Sequence, residues 1–455
     1  MKRLSAVAGV WVAGLLALLV AGVLGERELM SGPAGATAAS GSATSPSRPT
    51  GREYYVCTRP GPGAGTKEDP FGMADMPGPD GKLTKALQVL EPGDTLWFKG
   101  GQYAFRTAPA KTLYYLGYIR PSKSGLPGKP ISFRACPGET VTLARAEGGQ
   151  PLLGNATSGP PLDYVRYEGF IVSGNVYRIS GKGAEVAYCE VIGEYVDTAD
   201  NHCGIRLEHA DGAWIHHNVI HGWKGKSGNS CAIQAYTTEN SIIEDNYVYD
   251  NNGGLRDKDS GTNNTFRRNF STRNSEYAFL GNNQGKYMKD HIYDNVLDGG
   301  VALGYIVDGT DVHDNLLRGN VLAGHWAGQM WNSYLWNNIV IASGKEVTAY
   351  NDSSNEFIND GEQRHLRYMD YNLYTAPPRY RFARQVFSLD QMREKGFEQH
   401  SQAVKSAADI FVDEKSYRLL DKWKTAGRYQ DAPGPDNIAE ILDLKRYGPA
   451  GRPAR

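Results

Sequence analysis

Charged side chains that could carry out acid–base chemistry are concentrated near the middle of this 455-residue chain. The densest group is the run Asp257-Lys258-Asp259, which Arg256 precedes. A lysine acts as a general base only if its pKa falls toward neutrality, and burial or neighbouring cations lower that pKa. Arg256 is therefore expected to favour the free amine of Lys258, whereas the two aspartates oppose it unless they bind a cation such as Ca²⁺. We take this run as the first candidate site.

The run belongs to one of several similar units that follow each other along the chain. Units at 204–218, 232–246 and 254–269 open with a small residue and an apolar one, continue through polar turn residues into a second short apolar strand, and end in Asn. A period of this size, built from short strands and turns, predicts a solenoid. Glu190 is expected to hold the same place one unit earlier. The recurring asparagines are Asn218, Asn246, Asn269, Asn295, Asn315 and Asn338.

The first strand of each unit predicts which side chains face outward. Successive side chains of a strand point to opposite faces, and stacked strands lie about 4.8 Å apart. With the isoleucines and leucines inward, Asp257 is inward or at a bend, and two outward columns form on neighbouring coils. The first column comprises Arg206, Gln234 and Arg256, the second Glu208, Tyr236 and Lys258, with His209 and Asp259 just beyond and Asn282 and Asn283 on the next coil.

These units resemble those of right-handed parallel β-helix proteins, the superfamily of pectate lyases, alginate lyases and chondroitinase B. The resemblance covers residues 54–374. It implies an all-β fold, a single-stranded right-handed parallel β-helix with an N-terminal capping region. The recurring asparagines are similar to the internal Asn ladder of such helices, where the amides stack along the axis and satisfy backbone groups of the turns. We predict a structural role for them.

The resemblance also implies a polysaccharide lyase acting on a uronate-containing polymer. In such enzymes a base, often Lys or Arg, removes the C5 proton of the uronate while Ca²⁺ or cationic side chains neutralise the adjacent carboxylate. Carried onto this sequence, the predicted catalytic residues are Lys258, Arg256, Arg206 and His209. The predicted substrate-binding residues are Glu208, Gln234, Tyr236 and Asn282, and the predicted Ca²⁺ ligands are Asp257, Asp259, Asp197 and Asp200.

Other functions remain open at this point. Glu208 with Asp257 or Asp259 could supply the two carboxylates of a glycoside hydrolase. A C5-epimerase shares the proton-abstraction step, and a non-catalytic carbohydrate-binding or adhesion solenoid needs only the ladder and the core. Adjacent His216 and His217 are expected to face opposite sides of a strand, which disfavours a shared metal site.

The two ends of the chain differ in composition from the repeats. Lys2 and Arg3 precede an uncharged stretch, so residues 1–25 are predicted to be a signal peptide or an N-terminal membrane anchor, with the bulk of the chain outside the cytoplasm. Residues 26–52 are predicted to be a flexible linker. Residues 53–141 are predicted to form the cap and first coils, residues 142–376 the β-helix, and residues 377–455 a C-terminal coil and cap.

Three short helices are predicted within these end regions, at 83–90, at 387–396 with Ser388 as its N-cap, and at 438–444. Residues 409–413 and 417–420 are expected to form a last partial coil. The tail as a whole is expected to cover the far end of the solenoid, because an end coil would otherwise expose an unpaired edge.

Five cysteines and a balanced net charge of −1 complete the picture. Export permits disulfides, and Cys57 with Cys136 or Cys189 with Cys203 are possible pairs that the sequence does not decide. There is no basic patch or recognition motif for nucleic acid, so nucleic-acid binding is not expected. We expect a monomer whose partner is a polysaccharide.

Overall fold

The computed structural model describes residues 51–77, 83–105, 119–145, 152–155, 160–174, 176–197, 201–283, 288–319, 321–324, 328–352, 366–382 and 384–453. The predicted signal peptide or anchor, nearly all of the predicted linker, and Asp200 lie outside these ranges. Within them, every helix is too short or too polar to span a membrane.

The described residues form mostly short β-strands. In chain order they are β1 (Glu53–Val56), β2 (Thr95–Phe98), β3 (Gly101–Phe105), β4 (Ile131–Ala135), β5 (Val141–Arg145), β6 (Leu152–Gly154), β7 (Val165–Glu168), β8 (Ile171–Ser173), β9 (Val176–Lys182), β10 (Glu185–Ala187), β11 (Glu190–Ile192), β12 (Cys203–Asp211), β13 (Trp214–His216), β14 (Val219–His221), β15 (Cys231–Tyr236), β16 (Ile242–Glu244), β17 (Tyr247–Tyr249), β18 (Gly253–Lys258), β19 (Thr265–Arg267), β20 (Phe270–Thr272), β21 (Tyr277–Asn283), β22 (His291–Tyr293), β23 (Val296–Asp298), β24 (Val301–Asp308), β25 (Asp311–His313), β26 (Leu316–Arg318), β27 (Val321–Gly324), β28 (Gly328–Trp331), β29 (Ser333–Trp336), β30 (Ile339–Ile341), β31 (Val347–Asp352), β32 (Leu366–Asp370), β33 (Leu373–Tyr374), β34 (Pro378–Phe382), β35 (Gln385–Phe387), β36 (Gln402–Ala403), β37 (Phe411–Asp413) and β38 (Arg418–Leu419).

The helices are short and lie in the two end regions. They are α1 (Lys85–Gln88), α2 (Leu389–Glu394), α3 (Ile438–Leu442) and α4 (Gly448–Gly451), with 3₁₀ turns at Met73–Asp75, Ala407–Asp409, Asp421–Trp423 and Leu444–Arg446. The three predicted helices are present, each shorter than predicted. Ser388 caps α2 as predicted, because its hydroxyl accepts the N–H of Gln391 at 3.3 Å.

The chain winds into a right-handed parallel β-helix, which confirms the predicted fold class. Three parallel sheets, which we call A, B and C, run along the β-helix. Each central coil contributes one strand to sheet C, then one to sheet A and then one to sheet B. Sheets A and B each have twelve strands and sheet C has eight, and neighbouring strands within all three run parallel. Sheet C comprises β6, β9, β12, β15, β18, β21, β24 and β28, sheet A runs from β1 to β32, and sheet B runs from β3 to β36.

An apolar interior holds the coils together. Ile205, Leu207, Ile233, Ala235 and Leu255 are completely buried, as the alternating pattern predicted. Burial of each larger aliphatic side chain stabilises the fold by about 1.5–3 kcal/mol relative to exposure. Because side chains alternate along a strand, these inward residues fix which neighbours face outward on sheet C.

A continuous ladder of buried asparagines lies at the corner between sheets A and B. Each side-chain nitrogen donates to the side-chain oxygen of the next Asn at 3.0–3.1 Å, and the same oxygen accepts the backbone N–H of the preceding Asn. This confirms the predicted structural role. The ladder comprises Asn218, Asn246, Asn269, Asn295, Asn315, Asn338 and, one coil beyond the prediction, Asn372.

The residue that holds the place equivalent to Asn218 one coil earlier was predicted wrongly by one residue. Cys189, not Glu190, occupies it: the N–H of Cys189 donates to the Asn218 side chain at 2.9 Å, and Glu190 pairs with Val219. The corner itself is tight because the residue before each ladder Asn adopts a left-handed backbone. Such residues include His217 (φ 56°) and Asp245 (φ 51°).

The C-terminal part of the chain does more than cover the far end. We define residues 431–453 as the C-terminal strap, because they run back along the corner between sheets A and B. Asp431 accepts from Asn337, the Asp436 N–H donates to Asp294, Arg446 pairs with Asp245, and the Gly448 N–H donates to the His217 carbonyl, each at a successively earlier coil. Arg452 finally bonds to Glu168 at 2.6 Å. The sequence predicted only that the tail covers the far end of the solenoid. The tail in fact also runs back past the earlier coils.

A further expectation about the end of the chain was wrong, and neither cysteine pair that the sequence left open is formed. β37 and β38 pair with each other in an antiparallel hairpin, so the last partial coil is formed by β36, which joins sheet B.

All five cysteines are free thiols. Cys57 follows β1 and Cys136 follows β4, and β2 lies between those strands. The Cys189 thiol instead contacts the Tyr177 hydroxyl at 3.4 Å.

Candidate active site

The predicted outward columns are present on sheet C. The register of β12, β15 and β18 places Arg206 beside Gln234 and Gln234 beside Arg256, and it aligns the second column in the same way. β21 keeps this register, so Asn282 lies beside Lys258 as expected. We call this outward surface the candidate face. It comprises Arg178, Arg206, Glu208, Gln234, Tyr236, Arg256, Lys258 and Asn282.

Arg178 is a member of this face that the sequence reasoning missed. It pairs with Arg206 in the register of β9 and β12, and its guanidinium forms an ion pair with Glu208. Arg206 contacts the other Glu208 oxygen at 3.4 Å. The alternation Tyr177-Arg178-Ile179 has the same pattern as the later units, so extending the repeat by one coil would have found it. Glu208 is thereby engaged by two arginines.

Arg256 is held rigidly by its neighbours. Its Nε donates to the Asn282 oxygen at 3.0 Å and its Nη1 donates to the Asn229 side chain at 2.6 Å. Only 5% of the residue is exposed. A guanidinium fixed in this way keeps its charge in one place, which is what a site for an anionic group requires.

Lys258 lies half-buried among these cations. Its Nζ donates to Oδ1 of Asn201 at 3.1 Å, and the Gln234 amide donates to the same oxygen at 3.1 Å. Burial and then the charge of Arg256 lower the pKa of Lys258. The two effects favour the free amine, the form that can accept a proton.

Tyr236 forms an aromatic surface at the centre of the face. The Arg206 guanidinium lies 5.0 Å from its ring centre and the Lys258 ammonium 5.8 Å, which are distances typical of cation–π contacts. A hydrogen bond to the Asp259 carboxylate raises the pKa of Tyr236, so the phenol stays protonated. Asp259 is thus tied to Tyr236 at the rim of the face.

Asp257 faces the interior and is completely buried. Asn264 donates to its Oδ2 at 2.7 Å, and the Asp290 carboxyl group lies next to it. Burial raises the pKa of Asp257 to about 7, and burial together with the Asp257 charge raises that of Asp290 well above its usual range. We therefore expect the two carboxyls to share a proton behind the strand that carries Lys258.

The predicted Ca²⁺ ligands do not fit a common site. Asp257 lies inside the β-helix whereas Asp259 lies outside it, so the two carboxylates cannot ligate one ion together. Asp197 is exposed and forms an ion pair with Lys226 at 3.0 Å, and Asp200 lies outside the described residues. Across the described ranges, no three side chains of His, Cys, Asp or Glu come together as metal ligands would.

The histidines are arranged differently from the prediction. The Nδ1 atoms of His216 and His217 are 2.9 Å apart, although adjacent residues were expected to face opposite sides. The left-handed backbone of His217 turns its side chain back, which the strand pattern does not anticipate. His209 is exposed at a bulge of β12, and its predicted catalytic role stays a prediction.

A separate cavity of about 790 Å³ lies beside the C-terminal strap, lined in part by Cys136, Glu139, Glu190, Tyr447 and Arg452. Its two glutamates would repel a polyanion, and Arg452 is already engaged with Glu168. The candidate face, where cations outnumber carboxylates, suits an anionic polymer better than this cavity does.

Neither a protein-family model nor a curated protein sequence matches the chain. Several solved structures are similar to it. One is pectate lyase Pel9A, with 16% identity over 66% of this chain and 78% of that chain and a TM-score of 0.43. Another is XylC in complex with xylose, with 12% identity over 78% and 86% and a TM-score of 0.46. A third is a rhamnogalacturonan lyase, with 14% identity over 88% and 100% and a TM-score of 0.43.

Proposed function

We propose that the candidate face cleaves a uronate-containing polysaccharide by β-elimination, with Lys258 as the base. The observation that supports this best is the position of Lys258, half-buried beside Arg256 and Arg206 on an outward surface. A free amine next to fixed cations combines a proton acceptor with groups that bind a carboxylate. The proposal includes export of the chain by residues 1–25 and a monomeric state.

The polymer would lie across the coils of sheet C. Arg256 and Arg206 bind the uronate carboxylate and stabilise the negative charge that develops when the C5 proton leaves. Lys258 accepts that proton, the C5–H electron pair forms the C4–C5 double bond, and the C4–oxygen bond breaks. The departing oxygen then takes a proton from the Lys258 ammonium. Tyr236 offers an apolar ring against which a sugar can pack.

The cations of the face take over the neutralising role that Ca²⁺ has in the resembled lyases. Because the predicted ligands do not form one site, no step of this mechanism depends on a metal. Activity is accordingly expected to persist in the presence of a chelator.

The test is the ultraviolet absorbance of an unsaturated uronyl product. The purified protein is incubated with a panel of uronate polymers, with Ca²⁺ and with chelator, beside Lys258→Ala. Lys182→Ala is the matched control, because Lys182 ends β9 of the same sheet and is exposed. We expect absorbance to rise on one polymer with the parent protein and with the control, and to be lost in Lys258→Ala.

The other outcomes separate the alternatives. Absorbance that survives Lys258→Ala keeps the lyase and removes Lys258 as its base. New reducing ends without absorbance indicate the glycoside hydrolase. Exchange of the C5 proton with solvent deuterium without cleavage indicates the C5-epimerase. Binding of a polymer without any of these signals indicates the carbohydrate-binding solenoid.

A further inference from the structure

Two cysteines meet on the outer side of sheet C, next to the candidate face. Cys203 begins β12 and Cys231 begins β15, and the two are direct partners in the register of these neighbouring parallel strands. Their Sγ atoms are 3.0 Å apart. Both residues are buried, with 1% and 0% exposure.

We propose that Cys203 and Cys231 are a disulfide site, and that the bond ties two successive coils together where β12 and β15 begin. Disulfides need Cα atoms about 4.4–6.8 Å apart. Register partners on neighbouring strands lie about 4.8 Å apart. The backbone is therefore already in place, and small side-chain movements bring the sulfurs to bonding distance. This inference does not depend on the lyase chemistry.

The surroundings of the pair favour reaction at Cys203. Burial disfavours its thiolate, but hydrogen bonding from Cys231 and the charge of Arg206 outweigh burial and lower the pKa of Cys203. Burial raises the pKa of Cys231 well above its usual value. Because the thiolate is the nucleophile in disulfide exchange, Cys203 is the attacking sulfur in the step that joins the two stacked coils.

The remaining cysteines do not compete for this bond. Burial raises the pKa of Cys136 and of Cys189 to about 11, so both stay as thiols at neutral pH. The Cys189 sulfur also accepts a hydrogen bond from the Tyr177 hydroxyl. Cys57 is separated from Cys136 by the intervening strand β2. The geometry thus selects one pair out of the five cysteines.

The reaction balances with a small disulfide as the oxidant. Before the coils stack, the Cys231 thiolate attacks one sulfur of oxidised glutathione, forms a mixed disulfide and releases one glutathione thiolate. As the coils stack, the Cys203 thiolate attacks the Cys231 sulfur, which forms the bond between the coils and releases the second glutathione. Two protein thiols are oxidised and one glutathione disulfide is reduced to two thiols.

The experiment refolds the full chain in oxidised or in reduced glutathione, because both thiols are buried once the coils have stacked. The protein is then denatured without reductant and its free thiols are counted. We expect five thiols after reducing conditions and three after oxidising conditions, with a peptide map that joins the segments containing Cys203 and Cys231. The oxidised form should also unfold a few degrees higher, because a cross-link restricts the unfolded chain.

Two kinds of variant make the result decisive. Cys203→Ser should keep four thiols under both conditions and show no shift of Tm between them. Cys57→Ser, the matched control, should fall from four thiols to two and keep the shift. Five thiols after oxidative refolding of the parent, or a map that joins a different pair, would overturn the proposal.

Discussion

The Lys258 ammonium lies 5.8 Å from the centre of the Tyr236 ring, and the Arg206 guanidinium lies 5.0 Å from the same centre. The ring attracts both cations, while the cations repel each other. Burial, then the Arg256 charge and to a smaller extent the Arg206 charge lower the pKa of Lys258. The protonation state of one amine is therefore set by residues from three neighbouring coils.

The first prediction concerns the charge of Arg256. Arg256→Gln removes a cation beside Lys258, so the pKa of the amine rises and the pH range in which kcat/KM increases moves to higher pH. The variant also loses charged hydrogen bonds to Asn282 and Asn229, and we expect kcat/KM to fall roughly tenfold to a hundredfold. Steady-state rates measured across pH check this. A profile that keeps its position would show that Arg256 does not tune the base.

The second prediction concerns the shared proton of Asp257 and Asp290. Folded Asp257 keeps its proton up to about pH 7, whereas an unfolded aspartate releases it near 3.8. In this range the folded state binds more protons, so the contribution of Asp257 to stability is complete below about pH 3.8 and is lost as the pH rises through about 7. The change amounts to on the order of 4 kcal/mol.

Asp290→Asn should weaken that pH dependence, because an amide can donate to the Asp257 carboxylate without a shared proton. Its oxygen can still accept the Asn264 N–H, which donates to Asp290 at 2.9 Å. Denaturant unfolding of the variant and of the parent across this range gives the difference. Asp197→Asn, at an exposed position, serves as the control and should follow the parent. An unchanged slope in Asp290→Asn would argue against the shared proton.

The third prediction concerns the middle of the Asn ladder. Asn295→Ala removes donors to Phe266, Tyr293 and Asn315 and leaves the N–H of Asn269 without its acceptor. Buried groups left unpaired cost about 1–3 kcal/mol each, so we expect a loss of at least about 2 kcal/mol in the free energy of unfolding.

The matched control for the ladder is Asn437→Ala, since Asn437 is exposed and its side chain makes no capping bond to α3. Its effect should stay within about 0.5 kcal/mol. Equal effects of the two substitutions, measured by denaturant unfolding, would mean that the ladder adds nothing beyond ordinary surface interactions.

The fourth prediction concerns the C-terminal strap. Burial disfavours the Glu168 carboxylate, but the charges of Arg166, Arg134 and Arg452 outweigh burial and lower its pKa to about 2. Arg452→Ala removes one of these charges and the bond to the Ala135 carbonyl at 2.6 Å. Because two arginines remain beside Glu168, we expect a loss of about 1–3 kcal/mol rather than the larger cost of a fully unpaired buried charge.

The same contact has a defined pH dependence. A lowered pKa stabilises the fold above the unfolded value of 4.5, and this contribution is lost as the pH falls toward about 2. Arg452→Ala should therefore unfold at higher pH than the parent during acid titration, followed by circular dichroism. Arg418→Ala, at an exposed position in β38, should titrate like the parent. Coincident acid transitions for Arg452→Ala and the parent would contradict the role of the strap.

Much of the central architecture follows from local pattern. Alternation in β12, β15 and β18 predicts the inward Ile205 and Ile233 and the outward columns, because a strand has a period of two and a buried face fixes its register. The spacing of the asparagines predicts the ladder for the same reason. Arg178 and Asn372 extend these patterns by one coil at each end, and a longer search of the repeat would have included them.

Other features depend on contacts between residues distant in sequence. Nothing near Asp257 indicates that Asp290 faces it across the interior, so the sequence left Asp257 as a candidate ligand. The pairing of Cys203 with Cys231 requires the register of two strands, and Cys189 is nearer in sequence. His216 and His217 meet only because a left-handed residue forms the corner, a backbone state that side-chain alternation does not predict.

The strap also affects the order in which the protein can be completed during synthesis. Glu168 and Arg452 are separated by 284 residues. At about 5–20 residues per second, Glu168 leaves the ribosome roughly 15–60 s before its partner is made. In a solenoid each coil otherwise contacts only its neighbours, so the early coils could form without the late ones. Here the buried Glu168 carboxylate, in an early coil, gains its last cation, Arg452, only when the end of the chain is made. A fold built mostly from contacts between neighbouring coils is therefore completed by one contact between residues very distant in sequence.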